Sequence, residues 1–252
     1  MMSYYETDRA LSEYLLVHFG TPETVLPYQF GPASALEFPV RCVSEGVLSA
    51  SVPDQARALD LGCAVGRSSF ELARLCARVV GIDYSVRLIN AARHLQQHGS
   101  MAFSYLEEGD LANSATAIVP AQIDSKRVTF EQGDAQDLRP DIGDFDVVLM
   151  ANLIDRLRDP RRCLRQLSIL VRSGGQLVIT SPYTWLTEFT PKENWLGGFE
   201  RAGKRVRTLD TLKEILSPHF ELAGIKDLPF LIREHARKFQ WSVAEASTWI
   251  RK

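Results

Sequence analysis

The sequence predicts an α/β fold, a mostly parallel sheet with helices on both faces, and three runs carry that reading. The first, Arg57-Ala-Leu-Asp-Leu-Gly-Cys-Ala-Val-Gly-Arg67, reads as a short apolar strand ending at Asp60, a turn holding Gly62 and Gly66, and a helix opening at about Ser68. The second, Val79-Val80-Gly81-Ile82-Asp83, is another acid-ended strand about 20 residues further on, the distance at which a ribose-binding carboxylate belongs. The third, Val128-Thr-Phe-Glu-Gln-Gly-Asp134-Ala135, ends the same way. Strand, glycine turn and helix N-terminus form the nucleotide-facing corner of such a sheet.

The spacing of the turn selects the ligand. A dinucleotide site uses G-x-G-x-x-G, so that backbone approaches a pyrophosphate at the helix N-terminus. Here the pattern is D-x-G-x-x-x-G, and an acid at the strand end repels phosphate but suits an ammonium group. S-adenosylmethionine is such a ligand, with a zwitterionic methionine end and a cationic sulfonium. The expected cofactor loop is therefore Asp60, Gly62, Cys63, Ala64, Gly66 and Arg67. Asp83, with Tyr84 beside it, is expected to accept from the ribose hydroxyls. Asp134 is expected to accept from the adenine amino group while backbone N–H at Ala135 meets a ring nitrogen. A βα turn that merely needs two glycines would explain the first run alone; three acid-ended strands in this order point to a class I, Rossmann-like methyltransferase.

The remaining elements follow in order. Leu11, Leu15 and Phe19 share a helical face, and Gly20-Thr-Pro stops it. Pro27 to Pro39 is rich in turn residues, and Val40 to Leu48 reads as a short helix. Residues 1–50 thus form an N-terminal helical cap on a core of residues 51–252, within one domain. After the loop, Ser68-x-x-Glu71 can form a capping box. Phe70, Ala73 and Ala77 would face the sheet. Ser85 caps the next helix, whose inner face is Leu88, Ala92 and Leu95. Phe103–Leu106 and Ala117–Val119 flank a polar centre and suggest a hairpin inserted at about 101–126. Asp144–Met150 is the fourth strand, Pro160 opens a helix ending in the Arg172-Ser-Gly-Gly175 turn, and Gln176–Ser181 is the fifth strand. A Trp-rich connector, 183–198, leads to a helix at Leu209–Leu216, then strands at 220–226 and 239–250. Alternation of strands and helices implies right-handed parallel crossovers, seven strands in all, with the terminal hairpin as an antiparallel edge.

Composition narrows the function classes. The chain has 252 residues, 45% hydrophobic and 24% charged, as in ordinary globular proteins. Net charge is −2 without a basic stripe, which argues against nucleic-acid binding through phosphates. The four cysteines, Cys42, Cys63, Cys76 and Cys163, form no C-x-x-C pair, which suits a reducing cytoplasm and no zinc knuckle. His94 and His98 lie four apart with no third ligand in sight; a solvated helix face explains them better than a metal. No apolar run of about 18 residues is present and the first residues lack the pattern of a signal peptide, so neither a membrane span nor export is expected.

Several further runs resemble one family. They are Tyr4-Tyr-Glu-Thr-Asp-Arg-Ala10, Phe38-Pro-Val-Arg-Cys42, Leu59–Phe70, Ala151-Asn-Leu-Ile-Asp-Arg-Leu157, Ser181-Pro-Tyr-Thr-Trp-Leu186 and the tail Pro229–Ala246. Together they look like the methyltransferase module of ovothiol biosynthesis, the 4-mercaptohistidine N-methyltransferase. Members of that family are often fused behind an iron-dependent sulfoxide synthase that joins cysteine to histidine. The chain shows no metal-binding H-x-x-x-H helix, His94 and His98 having no third ligand, nor the length for that synthase, and reads as a free-standing or excised module with a functional link to it. The resemblance implies methyl transfer to an imidazole nitrogen of thiolated histidine, giving ovothiol A and S-adenosylhomocysteine, without a metal.

Acceptor-facing groups are expected after the fourth and fifth strands. Asn152 can touch cofactor or imidazole. Asp155 can receive the ring proton or hold the amino group, or with Arg156 form a surface ion pair and helix cap. Tyr183 can donate to the acceptor or pack in the core. Arg233 suits a fork-like grip on the substrate carboxylate, with His235 near it, unless that stretch is a polar hairpin edge. Tyr4, Tyr5 and Arg9 can form a lid, Arg41 can meet the cofactor carboxylate, and Trp185 and Trp195 can wall the pocket or simply pack. A different small amine, thiol or carboxylate acceptor would use the same cofactor residues.

Overall fold

A computed structural model describes residues 4–252. After a 3-10 turn at Tyr4–Glu6, helices α1 (Asp8–Phe19), α2 (Pro22–Val25) and α3 (Phe38–Ser44) precede the sheet. Then come β1 (Arg57–Leu61), α4 (Arg67–Leu72), β2 (Arg78–Asp83), α5 (Val86–His98), β3 (Ser100–Glu108), β4 (Leu111–Ile118), β5 (Val128–Gln132) and β6 (Phe145–Ala151). The chain ends in α6 (Pro160–Leu170), β7 (Val171–Ser181), β8 (Phe199–Arg201), β9 (Lys204–Val206), α7 (Thr208–Leu216), β10 (Phe220–His235) and β11 (Lys238–Arg251).

Seven strands form the main sheet in the order β10-β11-β7-β6-β1-β2-β5. The five from β7 to β5 run parallel, and β11 and β10 close the edge antiparallel, as the sequence predicts. The chain winds outward from β1 through β2 to β5, then returns to β6 on β1's other side. That reversal creates a crevice outside the carboxyl ends of β1 and β6, where ligands of doubly wound sheets bind. The loops after these strands do meet there: a Cβ added to Gly62 would lie 2.9 Å from Leu153 Cδ1.

Local chemistry explains most boundaries. Thr7, Thr21, Ser85 and Asp159 each cap a helix by accepting a backbone N–H. Apolar faces of α1, α3, α4 and α5 cover one side of the sheet, and α6 and α7 the other, giving two buried clusters. The hairpin β3–β4 stands apart from the sheet and its rim meets the tip of the terminal hairpin, where Ala236 N–H donates to Glu107 O at 3.0 Å.

Three local expectations are corrected. Ser68 and Glu71 form no capping box: Gly66 occupies the cap position at φ +88°, Ser68 Oγ donates to Pro39 O, and Glu71 pairs with Arg67 and Arg74. The 172–175 segment does not end α6, which stops at Leu170; it belongs to β7, where Gly174 at φ +78° takes up a register shift against β6. The terminal hairpin is longer than expected, because its register runs almost to the turn at Ala236-Arg237.

Candidate active site

Sheet order brings the three acid-ended strands side by side. β1, β2 and β5 are adjacent, so Asp60, Asp83 and Asp134 line one carboxyl edge. The loop after β1 turns back on itself through Gly62 at φ +76°, Ala64 at +48° and Gly66 at +88°. Its hold on β2 is direct: Gly62 and Cys63 N–H donate to Ile82 O, and Ala64 N–H donates to Asp83 Oδ2 at 2.9 Å. At Gly66 any side chain is excluded, since a Cβ would meet Phe130 Cζ at 2.4 Å.

Each acid has its own environment. Asp60 is 1% exposed; its Oδ2 accepts from Ser69 Oγ at 2.6 Å and its Oδ1 is buried without a partner. Burial, with the neighbouring Asp83 charge, pushes its carboxyl up to about 7 despite the Ser69 hydroxyl. Asp83 also accepts from Ser85 N–H at 2.9 Å; burial raises its pKa against those two backbone donors. Asp134 accepts from both the backbone and side-chain amides of Gln136. Ala135 is buried, and Tyr84 is 70% exposed beside the edge. An orphaned buried carboxylate oxygen, a folded-back loop and two further acids fit a cationic nucleoside cofactor.

The loops after β6 and β7 build the neighbouring wall. Asn152, at φ +50°, donates its N–H to Thr180 O at 2.9 Å, and its Oδ1 accepts from Thr180 Oγ1 at 3.0 Å. Asp155 is fully buried: Oδ2 accepts from Thr184 N–H at 3.1 Å and from Arg156 at 3.0 Å, while Oδ1 has no partner. Burial raises its pKa, with Arg156 opposing. The Asp155–Arg156 pair is thus not a surface pair, and Asp155 caps no helix. Tyr183, at φ +55°, donates its hydroxyl to Glu245 Oε1 at 2.6 Å, and burial together with this bond raises its pKa. Beyond Tyr183 opens a cleft of about 700 Å³ between the β8–β9 ribbon, the start of α7 and β11.

The N-terminal segment crosses this region. Tyr5 O accepts from Ser85 Oγ at 3.1 Å, and the Tyr5 ring lies 6.3 Å from that of Phe189 and 6.1 Å from that of Tyr14. Arg156 stacks on Phe189 at 4.8 Å. Tyr4 and Arg9 instead bond Glu13.

Other candidates are consumed elsewhere. Arg41 donates to the carbonyls of Leu36 and Pro229 and pairs with Glu45 at 3.8 Å, so its guanidinium is spent on the fold. Arg67 pairs with Glu71 at 2.9 Å and packs on Phe19. Arg233, 4% exposed, is held by Thr24 O, Glu107 and the Tyr105 ring, and ties the inserted hairpin to the terminal one. His235 sits at the hairpin tip, accepting from Arg237 N–H. Cys63 is buried and burial raises its thiol pKa. Trp185 lines the cleft and donates to Thr208 Oγ1, while Trp195 donates to Thr190 O. The His94 and His98 rings pack at 4.5 Å, tilted by 43°, and among the described residues no three His, Cys, Asp or Glu groups converge as metal ligands. No helix among them is long and apolar enough to cross a membrane.

Comparison with known proteins agrees with this geometry. Residues 59–179, spanning β1 to β7, match the family described as "Methyltransferase domain". A ubiquinone biosynthesis O-methyltransferase of Xanthomonas axonopodis pv. citri is 30% identical over 60% of the chain and 52% of its own length. One from Cereibacter sphaeroides is 33% identical over 53% of the chain and 44% of its own length. The chain therefore spans about half the length of the curated relatives it matches. Among solved structures, magnesium protoporphyrin IX methyltransferase from Synechocystis PCC 6803, with bound SAH, superposes with a TM-score of 0.53 at 18% identity, covering 85% of this chain and 82% of that one. N-methyltransferase NodS from Bradyrhizobium japonicum WM9 gives 0.53 at 16% identity, covering 85% and 94%. The fold is that of S-adenosylmethionine-dependent methyltransferases.

Proposed function

We propose that this chain transfers a methyl group from S-adenosylmethionine to an imidazole ring nitrogen of 4-mercaptohistidine, the last step of ovothiol A formation. The observation that carries the cofactor half is the row of Asp60, Asp83 and Asp134 on adjacent strands beside the folded-back glycine loop. In this reading Asp60 and the loop hold the methionine end, Asp83 the ribose, and Asp134 with Ala135 the adenine. The cofactor supplies an electrophilic methyl on a sulfonium.

The acceptor half is supported by the family-like runs. The Ala151–Leu157 and Ser181–Leu186 segments lie against each other through Asp155–Thr184, and Asn152 bonds Thr180 just before the second run. A neutral imidazole nitrogen already has a lone pair, so the protein has mainly to orient it on the in-line axis at about 3 Å. The methylated ring then sheds a proton. The unpartnered Oδ1 of Asp155, whose burial favours the protonated form, is the group suited to take it. Upstream, the substrate requires an enzyme that installs sulfur on histidine, and we place an iron-dependent sulfoxide synthase in that role.

The curated relatives are O-methyltransferases, which favours an oxygen acceptor as the second reading. Incubation with S-adenosylmethionine and 4-mercaptohistidine, with NMR assignment of the methylated atom, separates the two. A ring-N-methyl product supports the proposal. No product from the thiolated histidine, alongside turnover of a phenol or carboxylate, sinks it.

A further inference from the structure

Resting on that reading, we infer that the cleft beyond Tyr183 grips the acceptor as a zwitterionic amino acid, with Glu245 taking its ammonium and Arg207 its carboxylate. The cleft's volume, about 700 Å³, lies in the range of small-molecule sites. Tyr183 forms one end of it, on the loop that follows β7, and Glu245 faces it from β11, paired in register with Ser181. Both therefore sit at the carboxyl edge of the sheet, next to the Asp155 loop. An acceptor anchored there extends toward the crevice at β1 and β6.

The charge pattern selects the ligand class. One Glu245 oxygen, Oε1, accepts the Tyr183 hydroxyl; no other hydrogen bond or ion pair engages this carboxylate among the described residues. Its second oxygen is left for a donor, and the Tyr183 bond fixes the carboxylate's direction. Arg207 lines the same cleft without an ion pair. Arg205 and Lys213 line it too, also without ion pairs; Arg205 stands in register with Glu200 across the ribbon, and Arg207, at the start of α7, is the guanidinium with no acid in register. Opposite charges lining one aromatic-walled cleft match the ammonium and carboxylate of an amino acid. Arg233, the basic group of the tail, is unavailable because Glu107 and Thr24 O hold it.

The test measures binding to enzyme saturated with S-adenosylhomocysteine, by calorimetry, so that no turnover is needed. The probes are 4-mercaptohistidine and its analogues lacking the amino or the carboxyl group. Wild type should lose about tenfold or more in affinity for each analogue, the usual worth of a charged hydrogen bond. In Glu245→Gln the amino group should cease to matter, while its amide oxygen still accepts from Tyr183 and preserves the fold. In Arg207→Gln, an exposed position, the carboxyl group should cease to matter. If the variants keep the full discrimination of wild type while wild type still methylates 4-mercaptohistidine, the cleft assignment is overturned and the activity stands. If wild type neither binds nor methylates that compound, both fall together.

Discussion

Asn152 and Thr180 lock the ends of two neighbouring parallel strands. The Asn152 N–H donates to Thr180 O at 2.9 Å and to its Oγ1 at 3.1 Å, and that hydroxyl donates back to Asn152 Oδ1 at 3.0 Å. This reciprocal bonding holds a non-glycine residue at φ +50°, a conformation that costs about 1–3 kcal/mol when unsupported. The side-chain oxygen is consumed, and the amide nitrogen of Asn152 is the group left to face the site.

Thr180→Val keeps the shape and removes both roles of the hydroxyl. Stability should fall by about 1–2 kcal/mol, because Asn152 Oδ1 loses its donor. With Asn152 free to leave its strained conformation, turnover should drop about tenfold, as for a misplaced positioning group. Urea denaturation and steady-state kinetics read the two effects separately; unaltered turnover in a destabilised variant would detach Asn152 from the chemistry.

Asp83→Ala should weaken S-adenosylmethionine binding by about 1–3 kcal/mol, since the ribose hydroxyls lose a charged acceptor. Asp83 also receives Ala64 N–H, so the loop itself loosens. Calorimetry on the folded variant decides: an unchanged dissociation constant removes Asp83 from the cofactor site.

The acid-ended strands were legible because strand, acid and turn are local patterns a few residues long. Sheet order then only had to set three such ends side by side. Glu245 carried no comparable signal: its place beside Tyr183 comes from the β11–β7 register, which joins residues far apart in sequence. The arginines failed for a different reason. A guanidinium in a sequence does not reveal which carbonyl or carboxylate takes it, and Arg41, Arg67 and Arg233 are all taken by the fold. Tyr14 carries no signal in the sequence either, yet it packs on Tyr5.

Asp60 should make cofactor binding pH-dependent. Its folded pKa is raised to about 7 by burial, so below its unfolded value it contributes stability that is lost as pH rises through about 7. An ammonium group prefers the ionised carboxylate. Affinity for S-adenosylmethionine should therefore rise with pH up to about 7, by at most tenfold per unit for one coupled proton. In Asp60→Asn both this slope and the acid-side gain in ligand-free thermal stability should vanish. A wild-type affinity that is flat between mildly acidic and neutral pH would show that Asp60 carries no titrating charge to the ligand.

Gly66→Ala should be severely destabilising. The new Cβ would lie 2.4 Å from Phe130 Cζ, and φ is +88°. Overpacking of this kind costs about 1–3 kcal/mol, with the backbone strain added. Combining it with Phe130→Leu should recover the packing part and leave the strain. Full recovery of the melting temperature would mean that the positive φ imposes nothing.

Regiochemistry is the sharpest test of how this site governs its reaction. The thiolate of 4-mercaptohistidine is a better nucleophile than its ring nitrogen, so N-methylation requires the protein to keep sulfur off the methyl axis. Orientation can do this, because effective molarities of aligned groups reach about 10⁵ M or more. In the proposed reading Asp155 and Tyr183 together hold the sulfur away, the first through its unpartnered Oδ1 and the second by directing Glu245. Asp155→Asn weakens the charge that Arg156 and the ring proton see while keeping an acceptor for Thr184 N–H. Tyr183→Phe frees Glu245. Each change should lower the rate by about 100-fold or more, the scale of a lost acid–base or positioning contact. In each, S-methyl product should appear beside N-methyl product when the mixture is resolved by mass spectrometry and NMR. A slower variant that still yields N-methyl product alone would show that neither residue holds the sulfur away, and that the axis is set elsewhere in the crevice.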